Sequence, residues 1–274
     1  MRRPADLVGE MPDYETLTVD HSGGVARITL DNLDQRNALD LDSADDLIDA
    51  VATLGEDPEA RCIVLTHEGQ FFGTGADLTK FSGDDPEGDA AYMRQLAGRL
   101  HEAIIQLNQT GTPVVGGLDG VAAGAGFSLA LSPDLLVVSE EARLEYAYPR
   151  IGLPGDGGST FFLPRLVGLR TAKEIALLDE PITPERAVEM GLATEVVAAD
   201  AFEERIDEVA TDLASGATFG LGAVTRLMTE SFDRSLESQL AAETDAMAAA
   251  SATDDFGRGL DAFFGDSEPE FTGE

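Results

Sequence analysis

An α/β fold is predicted for this chain by three features of its sequence. Apolar runs of strand length, Cys62–Thr66, Pro113–Leu118 and Leu135–Val138, alternate with segments of helical periodicity. The first two runs lead into glycine-punctuated turns, Gly69–Leu78 (GQFFGTGADL) and Asp119–Ala130 (DGVAAGAGFSLA). Beyond about Asp200 the pattern becomes helical throughout, which puts a boundary near Ala199. Residues 1–13 are then a loose amino-terminal arm, 14–199 an α/β core and 200–274 a helical region.

The arm, within MRRPADLVGEMPDYE, has no apolar signal core. Thr16–Val19 and Val25–Leu30 alternate apolar and polar residues around HSGG, a hairpin signal. Asn32–Asp40 is a polar turn that holds Arg36. Ser43 is a suitable cap for a helix through Leu54, with Leu47, Ile48, Val51 and Leu54 on one face. Phe81–Gly88 reads as a polar loop, and a long helix follows from about Ala90 to Gln109, stopped by Gly-Thr-Pro. Tyr148–Ser159 is a loop rich in glycine and proline, and Thr160–Leu166 opens a further helix. Phe202–Ala214, Gly222–Ser231, Leu236–Ala250 and Asp254–Phe264 complete the helical region.

Composition sets the bounds on function. A chain of 274 residues with 43% hydrophobic content can bury a substantial core. Its 52 acidic residues face only 18 basic ones, a net charge of −34, and Lys80 and Lys173 are its only lysines. High salt screens the self-repulsion of such a surface, which points to a halophilic cytoplasm as the source. The same surface repels nucleic acid. Cys62, inside the apolar CIVL, is the lone cysteine, so no disulfide forms within the chain. No apolar run approaches the length of a membrane span. Phosphate-loop, nucleophile-elbow and zinc signatures are missing, and His21, His67 and His101 are scattered singly, so no metal is implied.

The two glycine turns carry no nucleophile signature. They can offer main-chain N–H groups, because glycine and alanine let the backbone approach a ligand closely. Paired N–H donors aimed at one point form an oxyanion hole, although ordinary strand–helix turns have the same spacing.

GTGADL at Gly73–Leu78, GVAAGAGFSLALSPD at Gly120–Asp134 and IGLPGDGGSTFFLPRLVGL at Ile151–Leu169 together resemble the enoyl-CoA hydratase/isomerase family, the crotonases. RNAL at Arg36–Leu39 and the closing AFFGDSEPEFTG fit the same family, and the likeness runs in order from about Tyr14. The resemblance implies a ββα spiral core, with the carboxy-terminal helices forming trimers or paired trimers. It further implies a coenzyme A thioester as substrate, with no permanently bound cofactor.

By the same resemblance Ala76 and Ala125 donate the two oxyanion-hole N–H groups, with Gly124 beside them, and Asp77 shapes the turn. Two positions that carry glutamate in the hydratases are Ser128 and Arg150 here, so water addition by a glutamate pair lacks its carboxylates. Asp156, in IGLPGDGGS, matches the acid position of several isomerases and of the chlorobenzoyl-CoA dehalogenases. His101 and Tyr148 fall at the dehalogenases' histidine and aromatic positions. For coenzyme A, the likeness implies Arg36, Ala38 and Leu39 along the nucleotide path, Lys80 after the first turn and Phe263 as an adenine wall. Gly265-Asp266 stands where the family carries a carboxy-terminal lysine. The expected activity is an isomerase moving a proton on an enoyl- or ring-acyl-CoA through Asp156. A hydratase, a hydrolytic dehalogenase using Asp156 and His101, and a non-catalytic acyl-CoA-binding protein are the alternatives.

Overall fold

The computed structural model describes residues 12–274, so most of the arm expected at 1–13 lies outside the described residues. A hairpin of β1 (Leu17–Ser22) and β2 (Val25–Leu30) opens the chain, turning through Gly23 and Gly24, both at positive φ. After α1 (Leu41–Glu56), a repeating unit begins: β3 (Cys62–His67), β4 (Phe71–Gly73) and α2 (Pro86–Gln109). The unit recurs as β5 (Val114–Leu118), β6 (Val121–Ala123) and α3 (Ala125–Ala130). A third turn runs β7 (Leu135–Ser139), β8 (Arg143–Glu145) and α4 (Ser159–Leu166). Helices α5 (Gly168–Leu178) and α6 (Pro184–Met190) lead to β9 (Glu195–Val197). Four helices close the chain: α7 (Phe202–Ser215), α8 (Thr218–Glu230), α9 (Leu236–Ala250) and α10 (Asp254–Gly265).

Each repeat sends its long strand to one sheet and its short strand to another. The larger sheet has the order β1-β2-β3-β5-β7-β9, parallel throughout except for the opening hairpin, and the smaller is a parallel β4-β6-β8. This is the ββα spiral expected from the resemblance.

Three local expectations are corrected. The glycine turns are not plain strand-to-helix links, since each contains a three-residue strand of the second sheet. The cap of α1 is Asp40, not Ser43: Asp40 accepts from the Ser43 N–H at 3.0 Å while its own N–H donates to Ser43 Oγ at 2.8 Å. Such a reciprocal box contributes about 0.5–2 kcal/mol. Helix α2 starts at Pro86, inside the expected loop, because Asp85 caps it and proline suits the first turn.

The larger sheet is covered on both faces. On one, α1 and α2 pack through Leu47, Leu54, Leu100 and Ile104 against Ile63 and Leu65. On the other, Cys62, Val64, Val115 and Val137 meet Phe202, Ile206, Ala210 and Ala214 of α7. The first helix beyond Ala199 is therefore part of the sheet's own packing. Burial pushes the Cys62 thiol up to about 12, so it serves as a small apolar side chain. Helices α9 and α10 instead expose large apolar residues, Leu236, Met247, Phe263 and Phe264 among them. No helix of the described residues is long and apolar enough to cross a membrane.

Candidate active site

The two glycine turns meet backbone to backbone. A Cβ on Gly126 would overlap the Gly73 carbonyl, and one on Gly75 would sit 3.5 Å from the Ala125 nitrogen. Glycine at these crossing points lets the tip of β4 and the start of α3 lie against each other. Ala76 is held by its neighbours, since Leu39 N–H donates to Gly75 O at 2.8 Å and Asp77 N–H donates to Leu39 O at 2.8 Å. Asp77 accepts from Thr79 N–H and caps a 3-10 turn at Leu78–Lys80. Ala125 is the first residue of α3, behind a Gly124 at φ 56°. The N–H groups of Ala76 and Ala125 have no protein acceptor among the described residues. Both alanines border one cleft, as an oxyanion hole requires.

That cleft has a volume of about 400 Å³ and an apolar lining, within the range of small-molecule sites. Met93, Leu96, Ala97 and Leu100 form one face of α2 along it, spaced as neighbours on a helix are. The lining also includes the turn at Ala147–Ile151 and the loop from Leu153 to Asp156. Asp156 is the one carboxylate among the described residues that line the cleft. His101, the next residue after Leu100 on α2, lies with Nε2 2.5 Å from Asp156 Oδ1. These two residues are 55 positions apart, and helix and loop bring them together at the rim.

Beneath Asp156 lies a buried polar group. Ser128, fully buried in α3, has its Oγ 2.8 Å from the Tyr148 hydroxyl and 2.9 Å from the Asp156 carbonyl. Tyr148 packs edge-on to Tyr146 with ring centroids 5.0 Å apart, and burial raises its phenol pKa far above the usual value. Tyr146 in turn donates to Pro154 O at 2.8 Å.

Arg150 is held by two carboxylates. Its Nε donates to Asp179 at 2.6 Å and its Nη1 to Glu145; these two bonds raise its pKa. Asp179 also accepts the Ala147 N–H at 2.8 Å, which fixes the wall of the cleft. Glu145 is a buried carboxylate close by, but Arg143 and Arg150 both bind it and it does not line the cleft. Sequence reasoning missed this clamp, because Asp179 comes from the far end of α5.

The residues expected along the nucleotide path lie apart. Leu39 lines the cleft, while Ala38 is buried behind it. Arg36, at φ 55°, sits over the Phe71 ring at 5.5 Å. Lys80 Nζ is 3.2 Å from Asp40, which raises the pKa of the lysine. At Asp40 burial pushes up, but the Ser43 N–H and Lys80 prevail and hold the carboxyl below its usual range. Phe263 is 79% exposed on α10 and does not reach the cleft of its own chain. No cluster of metal-binding side chains occurs among the described residues.

A spiral of ββα units whose crossing glycine turns border an apolar cleft defines a crotonase-type protein. The chain matches the family model described as Enoyl-CoA hydratase/isomerase over residues 20–274. It belongs to that family. It is 31% identical over 252 residues to a 1,2-epoxyphenylacetyl-CoA isomerase of Escherichia coli K12, covering 92% of this chain and 96% of that protein. A 4-chlorobenzoyl coenzyme A dehalogenase from an Arthrobacter species is 31% identical over 222 residues, 81% of this chain and 80% of the other. Among solved structures, an enoyl-CoA hydratase from Polaromonas sp. JS666 superposes with a TM-score of 0.88 at 30% identity, covering 93% of this chain and 99% of its own.

Proposed function

We propose that this member of the family is an acyl-CoA isomerase acting on an enoyl- or ring-acyl-CoA, with Asp156 as its acid/base. The thioester oxygen would accept from the Ala76 and Ala125 N–H groups. Asp156 would take a proton from a carbon activated by the thioester, and the double bond would shift as negative charge moves to the oxygen. The same carboxyl would return the proton to a different carbon, so substrate and product are isomers. Each main-chain donor would contribute roughly 3 kcal/mol to holding the enolate. The observation that carries this reading is that the cleft's lining holds Asp156 and no second carboxylate among the described residues. A water-adding mechanism with two carboxylates has no second group to use, because Glu145 is bound by two arginines.

The 2.5 Å contact between His101 and Asp156 supports one further reading. In a hydrolytic dehalogenase Asp156 would attack the halogen-bearing ring carbon, and halide would leave to give an aryl ester of Asp156. Water activated by His101 would then hydrolyse that ester to the hydroxyaryl product and the free carboxylate. The substrate in either case is a coenzyme A thioester, and no resident cofactor is invoked. Leu39 and Ala38 are proposed along the nucleotide path, with Arg36 and Lys80 near its phosphates. Phe263 would contribute to an adenine pocket only from a neighbouring chain. That arrangement fits a homotrimer or paired trimers, and the exposed apolar residues of α9 and α10 support it. The charge of −34 supports a saline cytoplasm as its setting.

The test is proton exchange. The protein is incubated in high salt and D2O with straight-chain and aromatic acyl-CoAs, beside Asp156→Asn. Deuterium entering at the carbon next to the thioester or at the gamma carbon, and lost in the variant, is the expected result. Water addition without exchange would reverse the proposal in favour of a hydratase. A burst from an aspartyl intermediate would establish the dehalogenase, and binding with neither reaction a carrier.

A further inference from the structure

Asp156 sits in an irregular loop, yet a displacement of an ångström in a reacting group can cost about 100-fold in rate. Something must hold it. Its carbonyl oxygen accepts three hydrogen bonds, from Ser128 Oγ at 2.9 Å, Ser159 Oγ at 2.9 Å and Ser159 N–H at 3.0 Å. Ser128 is the remote member, 28 positions away and wholly buried in α3. The loop is pressed onto it: a Cβ on Gly157 would lie 2.7 Å from Ser128 Cβ. Gly157, at φ 54°, therefore suits this position twice over.

A serine hydroxyl has one proton and several possible acceptors. Ser128 Oγ lies 2.9 Å from Asp156 O, 3.3 Å from Gly124 O and 2.8 Å from the Tyr148 oxygen. The two carbonyls can only accept. If Ser128 donates to the nearer one, the bond with Tyr148 must run from the phenol to the serine. Burial keeps the Tyr148 phenol protonated and able to donate. The order is then Tyr148 O–H to Ser128 Oγ, and Ser128 O–H to Asp156 O.

We infer that Ser128 is a positioning residue for Asp156, directed by Tyr148, and that it keeps the carboxylate against His101 and beside the cleft. This rests on the acid/base reading of Asp156. It gives the hydroxyl at the hydratase glutamate position a task of its own, acting through the loop and not on substrate.

The experiment uses the full chain with Ser128→Ala, Ser128→Cys, Tyr148→Phe, Asp156→Asn and Ser128→Ala/Asp156→Asn. One readout needs no catalysis. The ring-nitrogen shifts of His101, read by proton–nitrogen correlation through its carbon-bound protons, report the contact with Asp156. Only three histidines need assigning. Ser128→Ala is expected to move the His101 shifts toward those of Asp156→Asn, and Tyr148→Phe to move them part of the way. In exchange assays Ser128→Ala should lower kcat about 10- to 100-fold with KM nearly unchanged. Ser128→Cys, a weaker donor of similar size, should recover part of that loss. The double variant should be no slower than Asp156→Asn alone. Unmoved His101 shifts in a folded Ser128→Ala protein, or fully additive losses, would overturn the inference. If Ser128→Ala does not fold, unmoved shifts in both Ser128→Cys and Tyr148→Phe overturn it equally. A wild type that exchanges no proton refutes the isomerase reading, while the nitrogen shifts still decide the positioning.

Discussion

Replacing Ala125 by proline deletes one hydrogen-bond donor from the candidate oxyanion hole at little expected cost to the fold. Ala125 is the first residue of α3, and a helix's first N–H has no acceptor within the helix. No other acceptor takes it among the described residues, so its removal breaks no bond in the free protein. Proline is also favoured at this position, its φ being already that of a helix. The whole loss should therefore fall on the reaction. Removing one such donor costs about 2.7–4 kcal/mol, or roughly 100- to 1,000-fold in rate. The assay is deuterium uptake into an exchanging acyl-CoA, read as kcat/KM because the ring carbon takes the place of the lost hydrogen. A thermal melt alongside should place Tm close to wild type. Ala125→Gly keeps the N–H and removes only the methyl, so it should exchange at nearly the wild-type rate. A folded Ala125→Pro protein within a few fold of wild type would refute the oxyanion assignment. Equal losses in the proline and glycine variants would assign the effect to packing instead.

Two further outcomes concern stability. Ile206→Ala removes a fully buried side chain of α7 that packs on Val64 and Val115. It should cost about 2–5 kcal/mol in urea unfolding while leaving exchange by the folded protein unchanged; a cost below about 1 kcal/mol would show that α7 is not integral to the core. His67 is buried, and its Nε2 accepts the Asp119 N–H at 3.1 Å, while burial lowers its pKa below the ordinary 6.5. The unfolded chain then takes up a proton below pH 6.5 that the folded one resists, so stability falls as pH drops through that value. The difference in urea midpoint between wild type and His67→Asn, followed from about pH 8 to pH 5, should shrink toward acid; a constant difference would contradict it.

Much of the fold was legible because its long strands are continuous apolar runs. Cys62–Thr66 and Pro113–Leu118 are buried on both faces, which periodicity detects by length and composition. The second sheet was not legible. Phe71–Gly73, Val121–Ala123 and Arg143–Glu145 are too short to alternate, and their pairing is set by the spiral. Ser43 was misread as a cap because both partners of a capping box carry capping side chains, and only the backbone tells which comes first. At the site, the glycine turns announced backbone chemistry. The contact between His101 and Asp156 had no signal in spacing; likeness put both residues among the candidates without stating that they touch. The Asp179 clamp and the hydroxyl chain beneath Asp156 depend on three-dimensional proximity between small polar residues that are common everywhere.

The donors at Ala76 and Ala125 belong to the main chain, so no exchange of side chains short of proline can abolish them. They are inherited with the path of the chain, whereas the groups proposed to select a reaction are single side chains, Asp156 and His101, with Ser128 proposed to position the first. Invention on this scaffold can therefore proceed one residue at a time. On the proposed reading, every trial sequence that still folds begins with the means to steady a thioester's negative charge, and the choice of where protons or water go is left to mutation.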